Sequence, residues 1–175
     1  LIPKFDNIVI VGGMANNILK YKGHSIGKSL QEINCEAVIS EIFRLSENHS
    51  CPIFFPEDVV VGKSTDSNAK IKELDEISND DLILDIGPKT IETISNLIEK
   101  SKTILWNGPA GYFENSNFAK GSFEIGKKIA EKNKLNKIFS VVGGGDTVAL
   151  INNIGIFNSF NFVSTAGGAF LEYLE

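Results

Sequence analysis

Short apolar runs recur along this chain, separated by stretches in which apolar residues return every three or four positions. The runs Ile8–Val11, Ile53–Phe55, Val59–Val61, Leu82–Ile86, Thr103–Trp106, Phe139–Val142 and Phe160–Ser164 read as strands. Most are continuous rather than alternating, as expected where both faces of a parallel sheet are covered. Between them, Gln31–Glu47 sets Val38, Ile42 and Leu45 on one helical face, and Ile91–Lys100 does the same with Ile91, Ile94 and Leu97. Lys120–Lys132 carries Phe123, Ile129 and Ala130 opposite a lysine-rich face, read as solvated surface. Strand, helix, strand, repeated, predicts βαβ units. The expected fold is α/β: a three-layer αβα, Rossmann-like domain over residues 1–175 with a mostly parallel sheet. The polar stretch Lys63–Asn79 is expected to be a surface excursion or small hairpin, because a strand pattern resumes at Leu82.

Composition narrows the function classes. The 175 residues are 42% hydrophobic and 22% charged, a globular mixture. The net charge of −5 argues against binding a nucleic-acid backbone, and no apolar run reaches the ~18 residues of a membrane span. Cys35 and Cys51 lack zinc-site spacing, and His24 and His49 lack a metal partner at helical spacing. With no basic-then-apolar leader the cytosol is the expected compartment, and a monomer the expected state. The chain opens on Leu1 rather than Met, so a fragment or processed product of something longer is expected.

The turns that close the strands carry the chemistry. Five of the runs end in glycine-containing turns: Gly12-Gly13, Gly87-Pro88, Asn107-Gly108-Pro109, Gly143-Gly144-Gly145 and Gly167-Gly168. In a parallel sheet such ends share the edge where open α/β folds bind ligands. A glycine lets a ligand reach backbone N–H groups, and the first N–H groups of a helix lack internal partners and favour anions. Each turn alone could be a tight βα connection. Five on one edge point instead to a ligand with phosphates.

Asp146 comes after three glycines and suits a helix N-cap. It is also a carboxylate at the mouth of an anion site, and Mg²⁺ reconciles the two by taking carboxylate and phosphate oxygens together. Both roles are expected of it. Glu114 could accept from a ribose hydroxyl pair or simply face solvent, and Asn107 could donate to a phosphate or hold its turn. Gly27-Lys28-Ser29 and Gly62-Lys63-Ser64 imitate the end of a P-loop, but Lys22 and Glu57 stand where the motif needs its first glycine. No G-x-G-x-x-G occurs, which disfavours a nicotinamide or flavin oxidoreductase.

In order, the segments Val11-Gly12-Gly13-Met14-Ala15, Gly23–Leu30, Asp85–Thr90, Trp106–Glu114 and Val141–Thr147 resemble phosphoglycerate kinase, over essentially the whole chain. The resemblance places the chain in the family's C-terminal, nucleotide-binding lobe. It implies Mg²⁺ with ATP or ADP, and reversible phosphoryl transfer between 1,3-bisphosphoglycerate and ADP in glycolysis. By that likeness Gly12, Gly13 and Gly87 line the adenine slot, Asn107 faces the phosphates, and Pro109 with Glu114 holds the ribose. Gly144, Gly145, Asp146 and Thr147 cradle the terminal phosphates with Asp146 on Mg²⁺, and the N–H groups of Gly145 and Gly168 stabilise the phosphoryl group in flight. Two departures stand out: Ala166 replaces the first glycine of the family's final Thr-Gly-Gly-Gly turn, and Tyr112 stands where an aliphatic residue is usual.

The family's N-terminal lobe, which holds 3-phosphoglycerate with clustered arginines, has no counterpart here, since Arg44 is the chain's single arginine. The chain alone is therefore expected to bind nucleotide without turnover. The alternative is a stand-alone module that binds a nucleotide or phosphorylated metabolite for regulation.

Overall fold

In the computed structural model, which describes residues 1–166 and residue 172, strands and helices alternate as expected from β5 onward, whereas residues 53–86 hold four strands in succession with no α-helix between them. The chain divides into two units, Leu1–Thr90 and Ile91–Glu175. In the first, β1 (Ile8–Val9) pairs in parallel with β2 (Ile53–Phe54), and α1 (Gly12–Tyr21) and α2 (Glu36–Asn48) lie between them in sequence. Next, β3 (Asp58–Gly62) lies between β4 (Lys70–Glu73) and β5 (Leu82–Ile86), antiparallel to both. The helix α3 (Pro88–Lys100) comes after β5. In the second unit β6 (Thr103–Asn107), β7 (Phe139–Gly143) and β8 (Phe162–Ser164) form a parallel sheet in that order. The crossovers carry α4 (Lys120–Lys134) and α5 (Gly145–Asn153).

The polar stretch after β3 is the expected hairpin, with β4 as its return strand. The antiparallel β3–β5 pair departs from the expected parallel sheet. Val59 and Val61 are buried on a strand flanked on both sides, so a continuous apolar run arises without parallel neighbours. Leu19, Ile26, Val59, Val61 and Ile77 form the first unit's core, with Phe55, Leu74 and Ile83 against it.

Two expected helix faces are corrected. In α2 the buried residues are Ile39 and Ser46, while Val38 is 61% exposed. The helix is turned so that Phe43 stacks on Tyr21 and meets Phe55 edge-on, with Lys22 over its ring. It also starts at Glu36 rather than Gln31, because residues 31–32 are bonded across α1. In α4 the lysine-rich side is not all solvated. Lys132 is buried, and its ammonium donates to the carbonyls of Ile98 and Glu99 at the end of α3, where a helix favours a cation. Lys128 joins it by pairing with the Glu99 carboxylate.

The entry to β5 is fixed by Asp81. This buried carboxylate accepts from Lys63, Lys72 and the Ser78 N–H at 2.7–2.8 Å. Its backbone carbonyl accepts from Lys28 N–H at 2.7 Å, and two residues on Ile83 N–H donates to the buried Ser29 hydroxyl at 2.8 Å. The two P-loop look-alikes are thus parts of one clamp: Lys28 and Ser29 hold β5, and Lys63 holds Asp81. Burial opposes ionisation of Asp81, but the bonds from Lys63 and Lys72 outweigh it and hold the carboxyl well below the usual aspartate range. A depressed folded value contributes stability above the unfolded pKa of about 4, lost as pH falls below it. Urea unfolding followed against pH should show stability declining below about pH 4. In Asp81→Asn that decline should be shallower, and stability at neutral pH lower by about 2 kcal/mol.

Candidate functional site

Register brings the turns of the second unit to one edge. Asn107 pairs with Gly143 and Gly143 with Ser164, so β6, β7 and β8 end level with one another. Gly144 comes next with φ +89°, and a Cβ there would stand 3.2 Å from the Asn107 Oδ1, so glycine is needed twice over. It is Gly144, not Asp146, that takes the N-cap position of α5, and no side chain among the described residues caps that end. This corrects the expected capping role of Asp146. Its carboxylate is instead exposed in the first helical turn. Among the described residues nothing lies within 4 Å of where a Cβ on Gly145 or Gly108 would be.

Buried hydroxyls hold these turns. Thr147 is fully buried and its Oγ1 accepts from Gly108 N–H at 2.7 Å, tying the turn after β6 to the one after β7. Ser122 of α4, also fully buried, accepts from Ala110 N–H at 2.8 Å. Phe113 and Phe118 anchor the rest of the loop in the interior. On that frame Asn107 and Glu114 are exposed and Pro109 is half-buried. Sequence reasoning misses Ser122, because a serine in a helix gives no signal; only its closeness to the turn in space reveals it.

In the first unit α1 starts at Gly12 with Val11 as its N-cap residue, again with no capping side chain among the described residues. Gly13 is exposed, with nothing among the described residues within 4 Å of where its Cβ would be. A cleft of about 350 Å³ opens there, lined by Gly13, Met14, Asn17, Leu30, Gln31 and Glu32. Met14 is 69% and Leu30 82% exposed, an unusual pair of free apolar side chains. The 30–32 segment is stitched to α1. Asn16 Nδ2 donates to Leu30 O at 3.0 Å, Asn17 Oδ1 accepts from Glu32 N–H at 2.8 Å, and Lys20 donates to Gln31 Oε1. Asn16 is buried and its Oδ1 has no partner among the described residues, which costs about 1–3 kcal/mol.

The third helix start differs. The buried Asp58 carboxylate accepts from Lys89 N–H at 3.0 Å and Thr90 N–H at 2.9 Å, while the Thr90 hydroxyl donates to the same carboxylate at 2.8 Å. A Cβ on Gly87 would fall 2.3 Å from that carboxylate, which explains the glycine. The first turn of α3 thus carries its own anion. The structure therefore brings Asn107, Pro109, Glu114, Gly144, Gly145, Asp146 and Thr147 into the second unit and Gly12, Gly13 and Gly87 into the first. Gly168 lies outside the described residues.

The profile of the family described as phosphoglycerate kinase matches residues 1–175. The chain belongs to the phosphoglycerate kinase family. A phosphoglycerate kinase of Zymomonas mobilis is 42% identical over 177 aligned positions, covering all of this chain and 45% of that protein. The solved phosphoglycerate kinase of Coxiella burnetii superposes with a TM-score of 0.93 at 36% identity, over 99% of this chain and 45% of that one. The enzyme from Pyrococcus horikoshii OT3 gives 0.74 at 28% identity, over 96% and 42%. The fold is thus the three-layer α/β class expected from the sequence. The chain spans under half the length of these relatives.

Removing the Thr147 hydroxyl tests the link between the two turns. Thr147→Val keeps the shape but leaves the Gly108 amide without its acceptor. The expected cost is about 1–2 kcal/mol in unfolding experiments. Hydrogen exchange at the Gly108 amide should accelerate by about tenfold or more, while Val142 within β7 stays protected.

Proposed function

We propose that this chain is the nucleotide-binding part of a phosphoglycerate kinase and holds ADP or ATP with Mg²⁺. The observation that carries this is the difference between helix starts. The α3 start is closed by Asp58, whereas α1 and α5 start at glycines that, among the described residues, have no capping side chain, with nothing within 4 Å of a Cβ built on Gly13 or Gly145. At α5 the uncapped first-turn amides favour a phosphate, and at α1 the cleft with its free Met14 and Leu30 suits a flat apolar base. On this reading Gly12, Gly13 and Gly87 line the adenine slot, and Pro109 and Glu114 hold the ribose. Asn107, Gly144, Gly145 and Thr147 attend the phosphates, the Thr147 hydroxyl acting through the Gly108 turn that it fixes.

The residues fit Mg²⁺ shared with phosphates better than a metal caged by protein alone. No three His, Cys, Asp or Glu side chains converge among the described residues, and Asp146 offers one exposed carboxylate beside Gly145. When bound, Mg²⁺ supplies neutralisation of phosphate charge. The chain's own part is to position: the N–H of Gly145 is assigned to the place where charge develops, and the resemblance gives Gly168 the same part.

The proposed reaction transfers a phosphoryl group reversibly between 1,3-bisphosphoglycerate and ADP. Arg44 is committed to Glu41 one helical turn away on the exposed side of α2, with both guanidinium bonds at 2.6–2.7 Å. A clustered arginine site for the sugar acid is therefore assigned to a separate lobe, an assignment supported by relatives of about twice this length. Cytoplasmic location and a monomeric state belong to the same proposal; among the described residues no helix is long and apolar enough to cross a membrane.

Calorimetric titration with ADP tests this. Mg-ADP should bind with a Kd on the order of 0.1–1 mM, and more weakly without Mg²⁺. Asp146→Ala should abolish the Mg²⁺ dependence and leave the metal-free affinity in place. A coupled assay should show no turnover by this chain alone. Equal affinity with and without Mg²⁺ in the parent chain would contradict the role of Asp146, and robust turnover would contradict the separate-lobe assignment.

A further inference from the structure

Asn16 and Asn17 are adjacent on α1, and both reach the same short segment. Asn16 Nδ2 holds the Leu30 carbonyl at 3.0 Å, and Asn17 Oδ1 holds the Glu32 amide at 2.8 Å. Between these two tethers Gln31 is held by Lys20. On its other side the segment is pinned to the start of β5 through Lys28 N–H on Asp81 O and the Ser29 hydroxyl under Ile83 N–H. So Leu30 is kept 82% exposed over the cleft at Gly13, where an untethered leucine would fold back to bury itself.

The buried oxygen of Asn16 strengthens the case. It has no partner among the described residues, and such a group destabilises a fold unless the other half of the amide is needed. An apolar side chain of similar size would leave no amide oxygen unpaired and would lose only the bond to Leu30. Stability and the tether pull in opposite directions at this position.

We infer that Asn16 and Asn17 are positioning residues, which hold Leu30–Glu32 as a fixed wall facing Gly13 and Met14 so that the cleft grips the purine ring of the nucleotide. This rests on the proposed nucleotide-binding reading. Neither asparagine needs to touch the phosphates. Their effect should therefore show in base preference rather than in the affinity common to all nucleoside diphosphates.

The test compares Mg-ADP with Mg-CDP by calorimetry on the full 175-residue chain, alongside thermal melting. The parent should prefer ADP by about tenfold, since a purine offers the wall more ring to grip than a pyrimidine. Asn16→Leu should melt no lower than the parent yet bring the ADP-to-CDP ratio close to one, with CDP affinity unchanged. Asn17→Ala should do the same to the ratio, and serves alone if Asn16→Leu does not fold. Asn17→Asp, whose carboxylate still accepts from Glu32 N–H, should retain the preference. A parent that binds neither nucleotide overturns the nucleotide-binding reading itself. A parent that prefers ADP, with Asn17→Ala keeping that preference, overturns only the positioning role, as does a parent that binds both equally.

Discussion

An α-helix begins with amide N–H groups that its own ladder cannot satisfy, and everything proposed for this chain depends on where they find acceptors. At α3 the acceptor is internal. Asp58 comes from β3, is sealed from solvent, and is locked by the Thr90 hydroxyl, so that turn is neutral and closed. At α1 and α5 no side chain among the described residues fills the role, and Gly13 and Gly145 leave the backbone without a Cβ there. The three helix starts thus divide into one structural cap at α3, a candidate phosphate seat at α5 and an uncapped start at α1 beside the proposed base cleft. In a family whose named members are kinases, that division is the physical basis for assigning the nucleotide.

Such seats act only if the amides are held still. Dipoles fixed before the ligand arrives cost no reorganisation when charge develops. Here the fixing is done by small buried hydroxyls rather than by ion pairs. Thr147 holds Gly108, Ser122 holds Ala110, Ser29 holds Ile83, and Thr90 holds Asp58. A hydroxyl both donates and accepts, carries no charge to desolvate, and fits where a carboxylate would repel phosphate. Charges do appear where stability rather than binding is at stake. Asp81 gathers Lys63 and Lys72 at the entry to β5, and Lys132 closes the end of α3.

Much of this is legible in the residues. Strand positions, the hairpin after β3 and the glycine-ended edge of the second sheet can be read from apolar runs and from where glycines fall. The family resemblance lies in those same turns, and the α/β class agrees with it. The features that escape sequence reading depend on tertiary packing. Periodicity gives α2 an apolar face, but the ring of Phe43 against Tyr21 and Phe55 decides its rotation and leaves Val38 outside. Lysine patterning in α4 resembles a solvated face, and only the nearby end of α3 makes burying Lys132 favourable. Asp146 has the right chemistry for an N-cap, yet Gly144 at φ +89° starts the helix too early for it. The capping of α3 by Asp58 and the strap held by Asn16 and Asn17 join residues 14–32 positions apart. No local motif announces contacts of that span.

Residue-resolved amide shifts in ¹⁵N-labelled protein, recorded while Mg-ADP is added, test the central division most directly. The amides of Gly13, Gly145 and Asp146 should move in a saturable way, while those of Lys89 and Thr90, already bonded to Asp58, should stay in place. Movement confined to the first turn of α3, or none at Gly145 and Asp146 at saturating nucleotide, would contradict the account.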